Sequence, residues 1–157
     1  MVKPTDVINA KMRKRILSHL RERFGIDWDG DVVLLLDPSQ RLYGAARDIF
    51  GVVDKIPRID TLGNYWGEWR DDEFRFSIEG AQLFGAKAAK NVLILSREEA
   101  VAFMQAKKVA GESQPWVQDG FVIVRCGEDF IGCGRLAHGE LVPFIAKNRR
   151  LGEDIPD

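Results

Sequence analysis

The chain has 157 residues, 45% of them hydrophobic and 30% charged, with a formal net charge of -1. That length suits one medium domain or two small ones packed together, and the apolar fraction is enough for a core, so wholesale disorder is excluded. No unbroken apolar run exceeds the five residues of Val32–Leu36, far too few to span a bilayer, and two cysteines cannot form a disulfide framework.

In chain order, Pro4, Thr5 and Asp6 predict a helix start with Thr5 or Asp6 as the cap. Ile8, Met12, Ile16, Leu20 and Phe24 recur every four residues as one apolar stripe, and Gly25 is the expected stop. An amphipathic basic helix at the N-terminus, in place of an apolar secretory segment, leads us to expect a soluble cytoplasmic protein with no membrane association.

Val32–Leu36 predicts a buried strand, followed by a turn at residues 37–40 and a short strand at 41–43. Residues 45–53 suit a short helix, ended before Pro57. If Asp71 and Asp72 form a two-residue hairpin turn, Trp69 faces Phe74, Gly67 faces Phe76 and Tyr65 faces Ile78 on one side of the sheet. Glu68 then lies across from Arg75 on the other side, an opposite-charge cross-strand pair. One register satisfies both faces.

Residues 80–84 suit a short helix, and the small-residue stretch 85–90 would tolerate a domain boundary. A strand at 91–95 follows, then a helix capped by Ser96 with Glu99 three residues on, burying Ala100, Phe103 and Met104 and ending near Lys107 and Lys108. After a polar loop at 111–118, strands at 121–125 and 130–137 form a second hairpin, and a turn at His138 and Gly139 leads into a strand at 140–144. The fold class is therefore α+β, with a β-meander closing the chain.

The near-zero net charge conceals segregation. Residues 1–25 sum to +5, residues 135–150 to +3, and the remainder to -9. Lys11, Lys14, Arg15 and Arg21 make one basic patch; Arg135, Lys147, Arg149 and Arg150 make another. Trp116 and Phe144 lie near the second in sequence. Cations contact phosphates and exposed aromatics stack on unpaired bases, so nucleic-acid binding and an ordinary solvated face both remain open at this point.

Other motifs carry less. The glycines of Gly132-Cys133-Gly134 fall inside a strand, where a dinucleotide fingerprint would need them between a strand and a helix. Alternate glycines in a strand mark a bend or a close backbone approach. Cys126 and Cys133 are expected near each other on adjacent strands, yet His19 and His138 are the only histidines to complete a metal site, so no metal or cofactor is expected. No G-x-S-x-G, H-E-x-x-H, P-loop or C-x-x-C occurs, so we expect neither catalytic residues nor a small-molecule substrate.

Residues 121–125 and 130–137, with their G-x-G strand after a short turn, resemble the closing strands of a PUA domain, and the strand and helix over 91–104 resemble its opening. Leu62-Gly63-Asn64-Tyr65-Trp66-Gly67-Glu68-Trp69, followed by Phe74-Arg75-Phe76, resembles the hairpin of the pre-PUA domain in the Nip-seven ribosome-assembly family. The order of elements agrees over nearly the whole chain. The glycine-rich strand followed by Lys147-Asn148-Arg149-Arg150 is also similar to the C-terminal module of Sun-type RNA cytosine methyltransferases, although their catalytic domain is missing here.

The resemblance implies a pre-PUA-like α+β domain over 1–89 and a PUA-like β-barrel over 90–157. It implies a non-catalytic factor that binds ribosomal RNA during ribosome assembly and contacts other assembly proteins. Lys147, Arg149 and Arg150 carry over as RNA contacts, with Arg135 as a further candidate. The alternatives are an accessory RNA-binding subunit of a modification enzyme, and a protein-interaction adaptor that uses the basic helix.

Overall fold

The computed structural model describes residues 6–28, 30, 32–46, 63–111 and 114–152. Two five-stranded sheets and three α-helices make up the described chain. The first sheet is an antiparallel succession of β1 (Asp6–Val7), β2 (Val32–Leu36), β3 (Arg41–Ala46), β4 (Asn64–Arg70) and β5 (Glu73–Phe76). Helix α1 (Ala10–Phe24) covers one face of it. Asn9 caps α1 by accepting from the Met12 N–H at 2.8 Å, and Gly25 ends it with a left-handed φ of 66°.

The cap thus falls three residues later than the sequence suggests at Asp6. Asp6 and Val7 instead pair with Leu36 and Leu35, because the edge of β2 is available to them. Thr5, the other candidate cap, lies outside the described residues. So does most of the helix expected at 45–53, while its first two residues, Ala45 and Ala46, continue β3 against Val33 and Val32.

The hairpin at Asp71 and Asp72 forms with both turn residues at positive φ, and it pairs Glu68 with Arg75, Trp69 with Phe74 and Gly67 with Phe76. The expected pairing of Tyr65 with Ile78 does not form. Ser77 leaves the ladder to cap α2 (Ile78–Phe84), and its backbone N–H donates to the Trp66 carbonyl. A bulge explains the rest. Leu42 pairs with Gly67 and Tyr43 with Tyr65, which skips Trp66 and shifts the alternation of β4. Trp66 therefore joins Trp69 in the core, and Tyr65 turns to the opposite face beside Tyr43.

The first core gathers Ile16, Leu20 and Phe24 of α1, Trp66, Trp69, Phe74 and Phe76 of the sheet, and Phe84 of α2. Many of its rings meet edge to face; Phe74 and Phe76 are 4.6 Å apart at 90°. His19 sits at its border, where its Nε2 accepts from the Phe74 N–H at 3.2 Å. Burial lowers its pKa below the ordinary 6.5, and the neighbouring Arg23 adds to that against the opposing charges of Glu73, Glu22 and Asp72. The native state holds His19 neutral while the unfolded chain protonates it. Its contribution to stability is therefore complete above about pH 6.5 and is lost as pH falls below that value. In denaturant titrations over pH, His19→Gln, which keeps an acceptor, should lose less stability on acidification than the wild type.

After a single turn of 3-10 helix (Gly85–Lys87), the second sheet has the order β6 (Val92–Leu95), β8 (Gly120–Cys126), β9 (Asp129–Ala137), β10 (Glu140–Pro143) and β7 (Val109–Ala110). β6 runs parallel to β8 and the other pairs are antiparallel. The sheet curls around α3 (Arg97–Met104), whose capping box between Ser96 and Glu99 is complete. Helix α3 stops at Met104, short of Lys107 and Lys108, because the chain turns through Ala106 at φ 61° into β7. That two-residue strand has no sequence signal of its own.

The expected barrel is not closed by a strand ladder among the described residues. The outer edge of β6 is instead occupied by side chains: the Gln114 amide exchanges two hydrogen bonds with the Ile94 backbone, and the Trp116 indole donates to the Val92 carbonyl.

β8 and β9 form the wall between two cores. Ile123 and Cys133 face the first, whereas Val122, Val124 and Leu136 face the second around Phe103. Cys126 packs on this second side, so the two cysteines are on opposite faces rather than side by side. Register separates them as well, since Cys133 pairs with Ile123 and Cys126 with Asp129. Complete burial pushes the Cys133 thiol up to about 12, which leaves it chemically inert in the native state. The two glycines around it behave as a bend and a close approach. Gly132 sits at a bulge with φ 149°, and a Cβ on Gly134 would lie 2.9 Å from the Val142 carbonyl oxygen.

The stretch 85–90 is anchored to α1. Ala89 and Lys90 donate to the Phe24 carbonyl, and buried Asn91 donates to the Arg23 carbonyl at 2.5 Å while accepting from Gln118 at 2.8 Å. Arg23 returns the tie through hydrogen bonds to the carbonyls of Phe121 and Gln118.

Candidate nucleic-acid interface

A concavity of about 770 Å³ lies between the two sheets. Its floor is the face of the first sheet opposite α1, carrying Arg41, Tyr43, Tyr65, Glu68 and Arg75. Its other wall is the C-terminal segment from Pro143 to Arg150, and the start of α2 at Ser77, Ile78 and Glu79 closes one side. Local sequence accounts for each wall. The β4 bulge turns Tyr65 outward, and the 3-10 turn Lys147–Arg149 holds the tail against α2.

Of the residues predicted from sequence, Arg149 and Arg150 meet in this groove. Arg149 forms an ion pair with Glu79, and the hydrogen bond from that guanidinium holds the Glu79 carboxyl below its ordinary pKa. Arg150 is fixed by donation from Nε to the Ile145 carbonyl at 3.2 Å. Lys147 is exposed on the same turn without lining the groove. Arg135 opens instead into an adjacent cleft of about 460 Å³, where Arg70 and Arg75 face Glu68, Asp71 and Glu73.

The cleft and the groove are joined by a ladder of rings and guanidinium groups. Arg135 lies 5.5 Å from the Phe121 centroid, Phe121 is 5.5 Å from Phe144, and Arg75 sits 4.5 Å over Phe144 while pairing with Glu68 at 2.7 Å. Phe144 thus lies where the sequence associates it with the cations. Trp116 is on a different surface, beside Lys90 and Arg125.

The N-terminal patch does not join this site, because α1 packs on the other face of the first sheet. Arg15 pairs with Asp72, and Arg21 pairs with Asp27 at 3.1 Å. Lys11 and Lys14 are exposed on the same helix.

Sequence reasoning missed Arg41, Arg75, Tyr43 and Tyr65 as site residues. The charge pairing of Arg75 with Glu68 was readable, but the bulge that turns Tyr65 into the groove was not. Four arginines against two glutamates leave the lining positive. Chemically, such a groove can hold an anion at its cations and a flat ring against its aromatics, and among the described residues no cluster could hold a metal ion.

Residues 90–151, which supply the tail wall of this groove, match the family model described as methyltransferase RsmF PUA domain. The match covers less than half of the chain and supports a PUA domain over those residues. A search of curated proteins gives no match. The PUA match runs from just before β6 to Leu151, and so takes in the curled sheet, α3 and both tail arginines. Among the described residues no helix is long and apolar enough to cross a membrane.

Proposed function

We propose that this protein binds RNA without catalysing a reaction on it, as a ribosome-assembly factor whose PUA domain contacts ribosomal RNA. The observation that carries the RNA reading is the coincidence of the PUA match with a positive, aromatic-lined groove at its C-terminal edge. Guanidinium groups make charge-assisted bonds to phosphates, and rings stack on bases that are not paired. The ribosomal assignment rests on the resemblance of the β4–β5 hairpin to a pre-PUA domain. In this reading residues 1–89 form that pre-PUA unit and position the floor of the groove, residues 90–157 form the PUA domain, and the protein acts in the cytoplasm alongside other assembly proteins.

Crosslinking in cells followed by sequencing of the bound RNA tests it. Enrichment of one ribosomal region is expected; recovery of only transfer or messenger RNA would overturn the ribosomal assignment. A second reading is favoured by one finding, that the matched model is the PUA domain of a methyltransferase. In that case the chain supplies RNA affinity to a separately encoded modification enzyme, and a methyltransferase should copurify with it after nuclease treatment.

A further inference from the structure

We propose that the groove between the sheets takes an unpaired nucleotide, with the base stacked on Tyr65 and its flanking phosphates held by Arg41 and Arg150. The inference rests on the RNA reading above and narrows the ligand to single-stranded RNA.

The residues are arranged by chemistry. Arg41 and Arg150 are both exposed, stand on opposite walls, and have no carboxylate partner among the described residues. Arg41 also hydrogen-bonds the Tyr43 side chain and Arg150 spends its Nε on the Ile145 carbonyl, so both can offer their remaining N–H groups to a phosphate. Arg75 and Arg149 are held by Glu68 and Glu79, so the interior is not a continuous cationic track. Carboxylates there repel a phosphate but accept from the amino groups on base edges. Tyr65 is half-buried and leans on Tyr43 at 5.5 Å and 42°, which supports the ring from behind. Phe144 lines the tail wall of the same groove, with Arg75 4.5 Å from its ring centroid.

Size agrees with this content, since 770 Å³ falls within the ~300–1,000 Å³ of pockets that enclose small organic ligands. A base with its sugar fits that space. A duplex does not offer one, because its bases are stacked and hidden, and a face becomes available only in a loop, bulge or end. Stacking tolerates any base, so the preference concerns pairing state rather than sequence.

The test uses the full chain and a short oligoribonucleotide with 2-aminopurine at its centre, offered single-stranded and as a duplex. Single-stranded binding should quench the fluorophore and exceed duplex affinity. Tyr65→Ala should weaken it about tenfold or more, the effect of losing one stacked base. Tyr65→Phe keeps the ring and should restore both affinity and quenching, and thermal melts of both variants separate stacking from folding. Equal affinity for duplex and single strand, or a folded Tyr65→Ala that binds and quenches like wild type, overturns the inference while leaving RNA binding intact. Failure to bind either form removes the RNA reading itself.

Discussion

Gly67→Ala should destabilise the protein by about 2–6 kcal/mol in denaturant titrations, with no change expected for the control Gly152→Ala. At Gly67 the backbone has φ 152°, a conformation that costs a side-chain-bearing residue roughly 1–3 kcal/mol. A Cβ built there lies 2.1 Å from the Arg75 carbonyl oxygen, a backbone atom that cannot swing away. Overpacking of this kind adds about 1–3 kcal/mol. Nothing lies within 4 Å of a Cβ at Gly152. The consequence extends past stability, because Gly67 is the paired partner of Leu42 at the bulge that sends Trp66 into the core and Tyr65 into the groove. A variant that relaxed to regular alternation would bring one of these two rings to the wrong face, so any folded Gly67→Ala should also bind RNA more weakly.

The second large effect is electrostatic. Arg149→Ala/Arg150→Ala should abolish most RNA affinity at moderate salt and flatten the slope of log affinity against log salt by about one unit for each phosphate no longer neutralised. The structure adds an asymmetry that composition alone could not supply. Removing Arg149 also uncovers the Glu79 carboxylate, so the groove loses two positive charges while one of its negative charges is unmasked. Glu79→Gln should therefore act in the opposite direction and tighten RNA binding, with the largest gain at low salt. Filter binding over a salt series measures both. Identical slopes for the wild type and the two variants would remove Arg149 and Arg150 from the interface.

Much of the fold was legible where local signals agreed with each other. The β4–β5 register followed from one assumption about Asp71 and Asp72, because the aromatic face and the Glu68–Arg75 pair demanded the same alignment. The capping box at Ser96 and the stop at Gly25 were readable because caps are local chemistry. What escaped were features set by distant chain segments. β1 forms because β2 has a free edge, β7 because β10 does, and neither two-residue strand has a pattern of its own.

The candidate site divides in the same way. Arg149 and Arg150 stand in an obvious basic run, whereas Arg41 reaches the groove through the pairing of β3 with β4, and Tyr65 only through a β4 bulge that breaks the period-2 pattern. The positive charge of the first 25 residues drew attention to α1, yet Arg15 and Arg21 are paired with nearby acids, and Arg13 and Arg23 bind backbone carbonyls. Charge segregation along the chain points to one wall of the groove and to a second patch that the fold places elsewhere.

Photocrosslinking of single-stranded RNA to the full chain, read out by mass spectrometry of the adducts, locates the RNA on the protein surface. Adducts on Tyr65, Phe144 and the segment 146–150 are the expected result. Adducts confined to α1 around Lys11 and Lys14, with none in the groove between the sheets, would contradict RNA binding in that groove.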